Sequence, residues 1–169
     1  MRLRRIFRRG GEADYRPSCV RVDVPATYRA VSKRVAPPSG MPPPETATGP
    51  NGGQLDLVAI ARSTCASYDA EFPDERERYG PAGADWCRHD CQHLLNWAVL
   101  SLTEALDFEA QLRWLARVLE ARDFPLPRLA RCLELLGQAV RGGLPGEPEV
   151  AARLDAGAAF VGSRASFFH

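Results

Sequence analysis

The stretch from Trp86 to Ala105, WCRHDCQHLLNWAVLSLTEA, constrains the fold more than any other. On a helical wheel of about 100° per residue, Leu94, Cys87, Ala105, Ala98, Cys91, Leu102 and Leu95 fall on one contiguous arc. Arg88, Gln92, Thr103, Asn96 and His89 form a polar arc opposite. Between them lies a third arc of Trp86, Asp90, His93, Trp97 and Glu104, with Leu100 at its edge. A helix this widely apolar needs cover on two sides, so it is expected to be the central helix of a bundle. Asp85 is its expected N-cap, which places the helix over Asp85 to Ala105.

The remaining sequence from residue 54 supplies the cover. LDLVAIARSTCASY spaces Leu55, Val58, Ala59, Arg62 and Cys65 at three and four, the pattern of one amphipathic helix. EFPDERERYGPAG is charged and broken by Pro73, Gly80, Pro81 and Gly83, and reads as a loop. A third helix follows Asp107, from Phe108 to about Arg122, with Phe108, Leu112, Leu115 and Leu119 in a stripe and Val118 and Trp114 on its shoulder. Pro125 and Pro127 punctuate, and Pro127 suits the first turn of a fourth helix ending near Gly142 and Gly143. A fifth, shorter helix is expected from Pro148 to Phe160. Helices joined by short loops predict an all-α fold, a helical bundle of four to five helices over residues 54–169.

Residues 1–53 read differently. APPSGMPPPETATGPNGG (36–53) contains no Val, Ile or Leu, and such a segment is expected to be a flexible linker. Upstream, Val20, Val22 and Val24 alternate as a short strand would, but with nothing to pair with, so an extended or disordered state is expected. Residues 1–34 hold ten Arg or Lys against three Asp or Glu, a net +7, which leaves −6 for the rest of a chain whose total is +1. The sequence is thus a basic tail joined to an acidic body. Arg2, Arg4, Arg5, Arg8 and Arg9 surround Ile6 and Phe7, and such a tail attracts an anionic partner, whether nucleic acid, lipid surface or acidic protein. No helix-turn-helix basic face or stacking-aromatic sheet accompanies it. At the other end, ASFFH places Phe167 and Phe168 where they need a groove on the body or on a partner.

A chain of 169 residues can bury a core without disulfides or metals. No apolar run approaches the roughly 20 residues that span a bilayer, and no apolar segment follows the basic start as in a secretory signal. Five cysteines at irregular spacing argue against a disulfide framework and for a reducing compartment. The expected localisation is cytoplasmic.

Cys87 and Cys91 are four apart, so their Cβ atoms lie about 5–6 Å from each other on a helix. That is too far for a mutual disulfide, which needs roughly 3.5–4.5 Å. Buried, reduced and metal-free thiols are the expected state. The alternative is zinc held by Cys87 and Cys91 with outside ligands such as Cys65 or Cys132. His89 and His93 share the same spacing, but His89 falls on the polar arc and is expected in solvent. No metal site is assigned. Asp90 and His93, three apart and flanked by Trp86 and Trp97, are expected to form a carboxylate–imidazole pair, an ingredient of acid–base chemistry or of a pH switch. The arc holding Asp90, His93 and Trp97 is expected to face the helix carrying Trp114, with any small-molecule site between them, because the short turn after the central helix forces the next one back alongside it.

The order Asp90, His93, Leu94, Leu95, then Phe108, Trp114, Leu119 and Arg122 resembles the helical segment that accompanies the B12-binding domain in bacterial cobalamin-dependent regulators. The likeness covers about residues 90–140. Gln111 stands where that family often has tyrosine, and the D-x-H-x-x-G cobalt-ligand motif is absent. The resemblance implies a sensory or regulatory helical module, and does not imply that the chain binds cobalamin.

These readings converge on a non-enzymatic regulatory or scaffolding protein that acts through protein contacts and carries a ligand-sensing pocket. Its ligand candidates are Asp90, His93, Trp97, Gln111 and Trp114, and its partner candidates are Arg4, Arg5, Arg8, Arg9, Phe167 and Phe168. The competing class is a metal- or acid–base-dependent enzyme centred on Asp90 and His93. No cofactor is named by the sequence.

Overall fold

A computed structural model describes residues 41–104 and 106–168. Arg4, Arg5, Arg8, Arg9, Cys19 and the alternating valines lie outside the described residues. Those described form five helices and one two-stranded hairpin: β1 (Thr46–Thr48), β2 (Gln54–Asp56), α1 (Leu57–Glu71), α2 (Glu75–Thr103), α3 (Phe108–Glu120), α4 (Leu126–Gly143) and α5 (Pro148–Gly162). The all-α expectation holds, with the hairpin as its one addition.

Local chemistry sets most helix ends. Asp107 caps α3 by accepting the Ala110 N–H at 3.0 Å, and Asp56 caps α1 by accepting that of Ala59 at 2.9 Å. Pro127 and Pro148 sit in the first turns of α4 and α5, where a missing N–H costs nothing. The stripe of α3 buries Phe108, Leu112 and Leu115, with Leu119 partly buried at its end. On α2, Cys91, Leu94, Leu95 and Ala98 are fully buried, as a central helix requires.

Two boundaries differ from the sequence reading. The charged stretch taken as a loop is partly helical: α2 begins at Glu75 and is interrupted at Gly80. The Gly80 φ of 63° is a left-handed value that favours glycine, and Pro81 then restarts the helix four residues ahead of Asp85. Asp85 is therefore not a cap. The short first stretch is fastened from outside. The Tyr68 hydroxyl donates to Glu75 at 2.8 Å. Arg128 reaches Glu75 at 2.6 Å and Asp74 at 2.7 Å while lying over the Phe72 ring.

The second correction concerns the proline–glycine stretch. Its described part, residues 41–53, is no bare linker but packs on the helices. β1 and β2 pair antiparallel, with Ala47 opposite Leu55, and Leu55 is wholly buried. Leu55 thus belongs to a strand rather than to α1. The tight loop between the strands wraps a buried carboxylate. Glu147, 2 % exposed, accepts the Gly53 N–H at 2.7 Å and the Asn51 N–H at 3.3 Å. A Cβ on Gly49 would stand 2.3 Å from that carboxylate, so the close approach requires glycine there.

Candidate functional site

The polar arc of α2 is not in solvent. His89 and Gln92 are both buried, because the Pro-rich segment ahead of β1 runs over them. Prolines offer carbonyls and no N–H groups, so a face that covers them must donate. Gln92 does so to the Pro44 carbonyl at 2.9 Å, and His89 Nε2 does so to the Met41 carbonyl at 3.3 Å. The other ring nitrogen of His89 faces the Asp90 carboxylate at 2.9 Å. Burial disfavours the imidazolium, but acceptors at both nitrogens outweigh it and raise the His89 pKa above its ordinary value.

Asp90 was expected to pair with His93. Its carboxylate instead meets His89, the adjacent residue, and reaches His93 through charge. Burial, together with the charge on His89, lowers the His93 pKa. His93 lies 4.5 Å from the His89 ring and 5.6 Å from Trp97. Trp97 meets Trp114 edge to face at 6.3 Å, so the arc faces that helix as the sequence anticipates, but the cavity described below does not lie between them. Gln111 is half-buried, and Trp114 is 41 % exposed. Phe167 docks on the body: its ring lies 5.6 Å from Phe160, its N–H donates to Glu120, and its carbonyl accepts from Arg117. Phe168 remains exposed.

The cysteines depart furthest from expectation. Cys87 is not a free thiol but forms a disulfide with Cys65 of α1, with Cα atoms 6.3 Å apart. Cys91 is free and buried, as anticipated, and so is Cys132 of α4. Cys91 links the bridge to Cys132. Cys91 Sγ lies 3.8 Å from Cys65 Sγ and 3.5 Å from Cys132 Sγ. Cys65, Cys87 and Cys91 all lie within 4.8 Å of one another. The hydrogen bond with Cys132 and complete burial push the Cys91 thiol well above its ordinary pKa. Spacing along α2 excluded a Cys87–Cys91 bridge, but a partner on another helix leaves no mark in that spacing.

Beside this cluster opens a cavity of about 570 Å³. Its walls are aromatic: Tyr68 and Phe72 from the end of α1, Tyr79 and Trp86 from the two stretches of α2, and Phe124 from the α3–α4 turn. Cys87, Cys132, Leu94 and Leu129 lie deeper, and Asp90, Glu75, Arg76 and Arg122 supply charge. Of the five ligand candidates from the sequence, Asp90 lines this cavity, while His93, Trp97, Gln111 and Trp114 do not. The wall contains an unpaired group. The Tyr79 hydroxyl is buried and has no hydrogen-bond partner among the described residues, and burial raises its pKa. Sequence reasoning missed this site because the stretch carrying Tyr79 and Gly80 reads as an exposed loop.

Comparisons with known protein families, with curated protein sequences and with solved structures find no match. Among the described residues, no helix is long and apolar enough to cross a membrane.

Proposed function

We propose that the protein is a non-enzymatic regulatory or scaffolding module that senses a small, largely apolar ligand in the aromatic cavity and acts through protein contacts. The observation that carries this reading is the ligand-sized, aromatic-walled cavity, with Asp90, Glu75, Arg76 and Arg122 among its lining residues. The likeness of residues 90–140 to helices of cobalamin-dependent regulators favours a sensory role as well. Exposed Trp114 and Phe168 are the contact residues that this reading assigns on the body, and the arginine-rich start is assigned to an anionic partner.

The test uses the neutral fluorophore phenylnaphthylamine and three forms of the full chain. Wild type is expected to bind one equivalent. Ala84→Trp, which fills the cavity from its rim, is expected to bind none. Tyr79→Phe is expected to keep or raise the melting temperature, because it removes an unpaired hydroxyl and no bond. Equal dye binding by wild type and Ala84→Trp contradicts the reading. A pull-down with and without residues 1–40 then asks which partners depend on the tail.

A further inference from the structure

Cys65, Cys87 and Cys91 lie within 4.8 Å of one another beside the cavity, and Cys132 of a third helix adjoins them through Cys91 at 3.5 Å. We propose that they form a redox-gated zinc site, closed to metal while Cys65 and Cys87 are bridged and opened by reduction of that bridge. Three sulfurs are already gathered for the ion, and Cys132, next to Cys91, would close in as the fourth ligand. With Zn–S bonds of about 2.3 Å, the sulfurs of a tetrahedral site stand about 3.8 Å apart. Cys91 Sγ already has neighbours at 3.8 Å and 3.5 Å, on two different helices. Cys87 and Cys91, one turn apart on α2, can share an ion although they cannot share a bond. Soft thiolates in a four-sulfur set select zinc over hard cations. Cys87 and Cys132 border the cavity, which supplies a route of entry.

The chemistry balances in both directions. A dithiol reductant delivers two electrons and two protons to the Cys65–Cys87 bond and leaves as its own disulfide. Zinc then displaces four thiol protons and forms four Zn–S bonds. In reverse, hydrogen peroxide takes two electrons from the Cys65 and Cys87 thiolates and, with two protons, leaves as two waters, while Cys91 and Cys132 take up two further protons as the ion departs. The bridge re-forms and zinc is released.

Cobalt(II) titration of the full chain tests the site. After reduction with a phosphine and removal of the reductant under inert gas, one equivalent of Co²⁺ is expected to give the intense thiolate-to-metal band of a tetrahedral sulfur site. One equivalent of Zn²⁺ should abolish it, and unreduced protein should never show it. Cys91→Ser and Cys132→Ser are expected to lose the band, whereas Cys19→Ser keeps it. If Cys91→Ser does not fold, Cys91→Ala and the redox dependence of the wild type decide. Absence of the band in reduced wild type, its presence in oxidised protein, or its survival in folded Cys91 and Cys132 variants overturns the proposal.

Discussion

The α4–α5 hairpin and the α1–α2 face of the same bundle are built to opposite rules. Where α4 meets α5, the interface is filled: Leu133, Leu136, Val140, Val150, Leu154 and Val161 are buried with almost no residual exposure. Gly157 lets α3 approach so closely that a Cβ there would lie 2.8 Å from the Phe108 ring. Where α1 meets α2, the packing is interrupted by a 570 Å³ cavity, four sulfurs and an unpaired tyrosine hydroxyl. One helix serves both sides, since α4 gives Leu133 and Leu136 to the filled side and Leu129 and Cys132 to the open one. The contrast teaches that the bundle does not lack apolar material. One apolar core runs through both sides, with Leu94, Leu95 and Ala98 of α2 fully buried, and close packing is given up locally around the cavity.

The largest effect expected from breaking this contrast is on the filled side. Leu154→Ala should cost about 2–5 kcal/mol in urea unfolding, because a fully buried leucine leaves a void that its neighbours cannot close. A change near zero would mean that the hairpin is loosely packed. Next comes the latch between the β1–β2 loop and the α4–α5 turn. Glu147→Ala strands two backbone N–H groups that a carboxylate now satisfies, and should cost about 1.5–3 kcal/mol in the same assay. Unchanged stability would show that the loop does not hold that carboxylate.

How much of this was legible depends on how far each signal reaches along the chain. The start of α3 was legible because Asp107 and the N–H that it caps lie three residues apart. The Trp97–Trp114 contact was legible because a short turn forces those helices side by side. The hairpin was not, since what holds Gly53 in place is a carboxylate 94 positions away. The Cys65–Cys87 bridge likewise joins two helices whose spacings say nothing of each other. His89 was misplaced for a related reason: a polar face reads as solvent-facing unless the segment covering it is known to offer carbonyls.

A smaller effect sharpens the comparison through pH. The raised pKa of His89 contributes stability that is fully present below the ordinary histidine value of 6.5 and is lost as pH rises through the folded value. The lowered pKa of His93 acts oppositely, its contribution being present above 6.5 and lost as pH falls toward its folded value. Urea midpoints followed between about pH 5 and 8 should therefore lose their alkaline-side decline in His89→Gln and their acid-side decline in His93→Gln. Identical pH profiles for both variants and wild type would show that neither ring is held as the structure has it. Leu154→Ala, which changes no titratable group, should lower the curve without changing its shape.

The central claim, that the open side is kept open for a small molecule, is tested most directly by native mass spectrometry of the full chain purified gently from its own host. The account predicts a species heavier than polypeptide plus any metal by the mass of one organic molecule, released on denaturation and missing from Ala84→Trp prepared identically. Wild type carrying no such molecule, or the same molecule retained by Ala84→Trp, would contradict it.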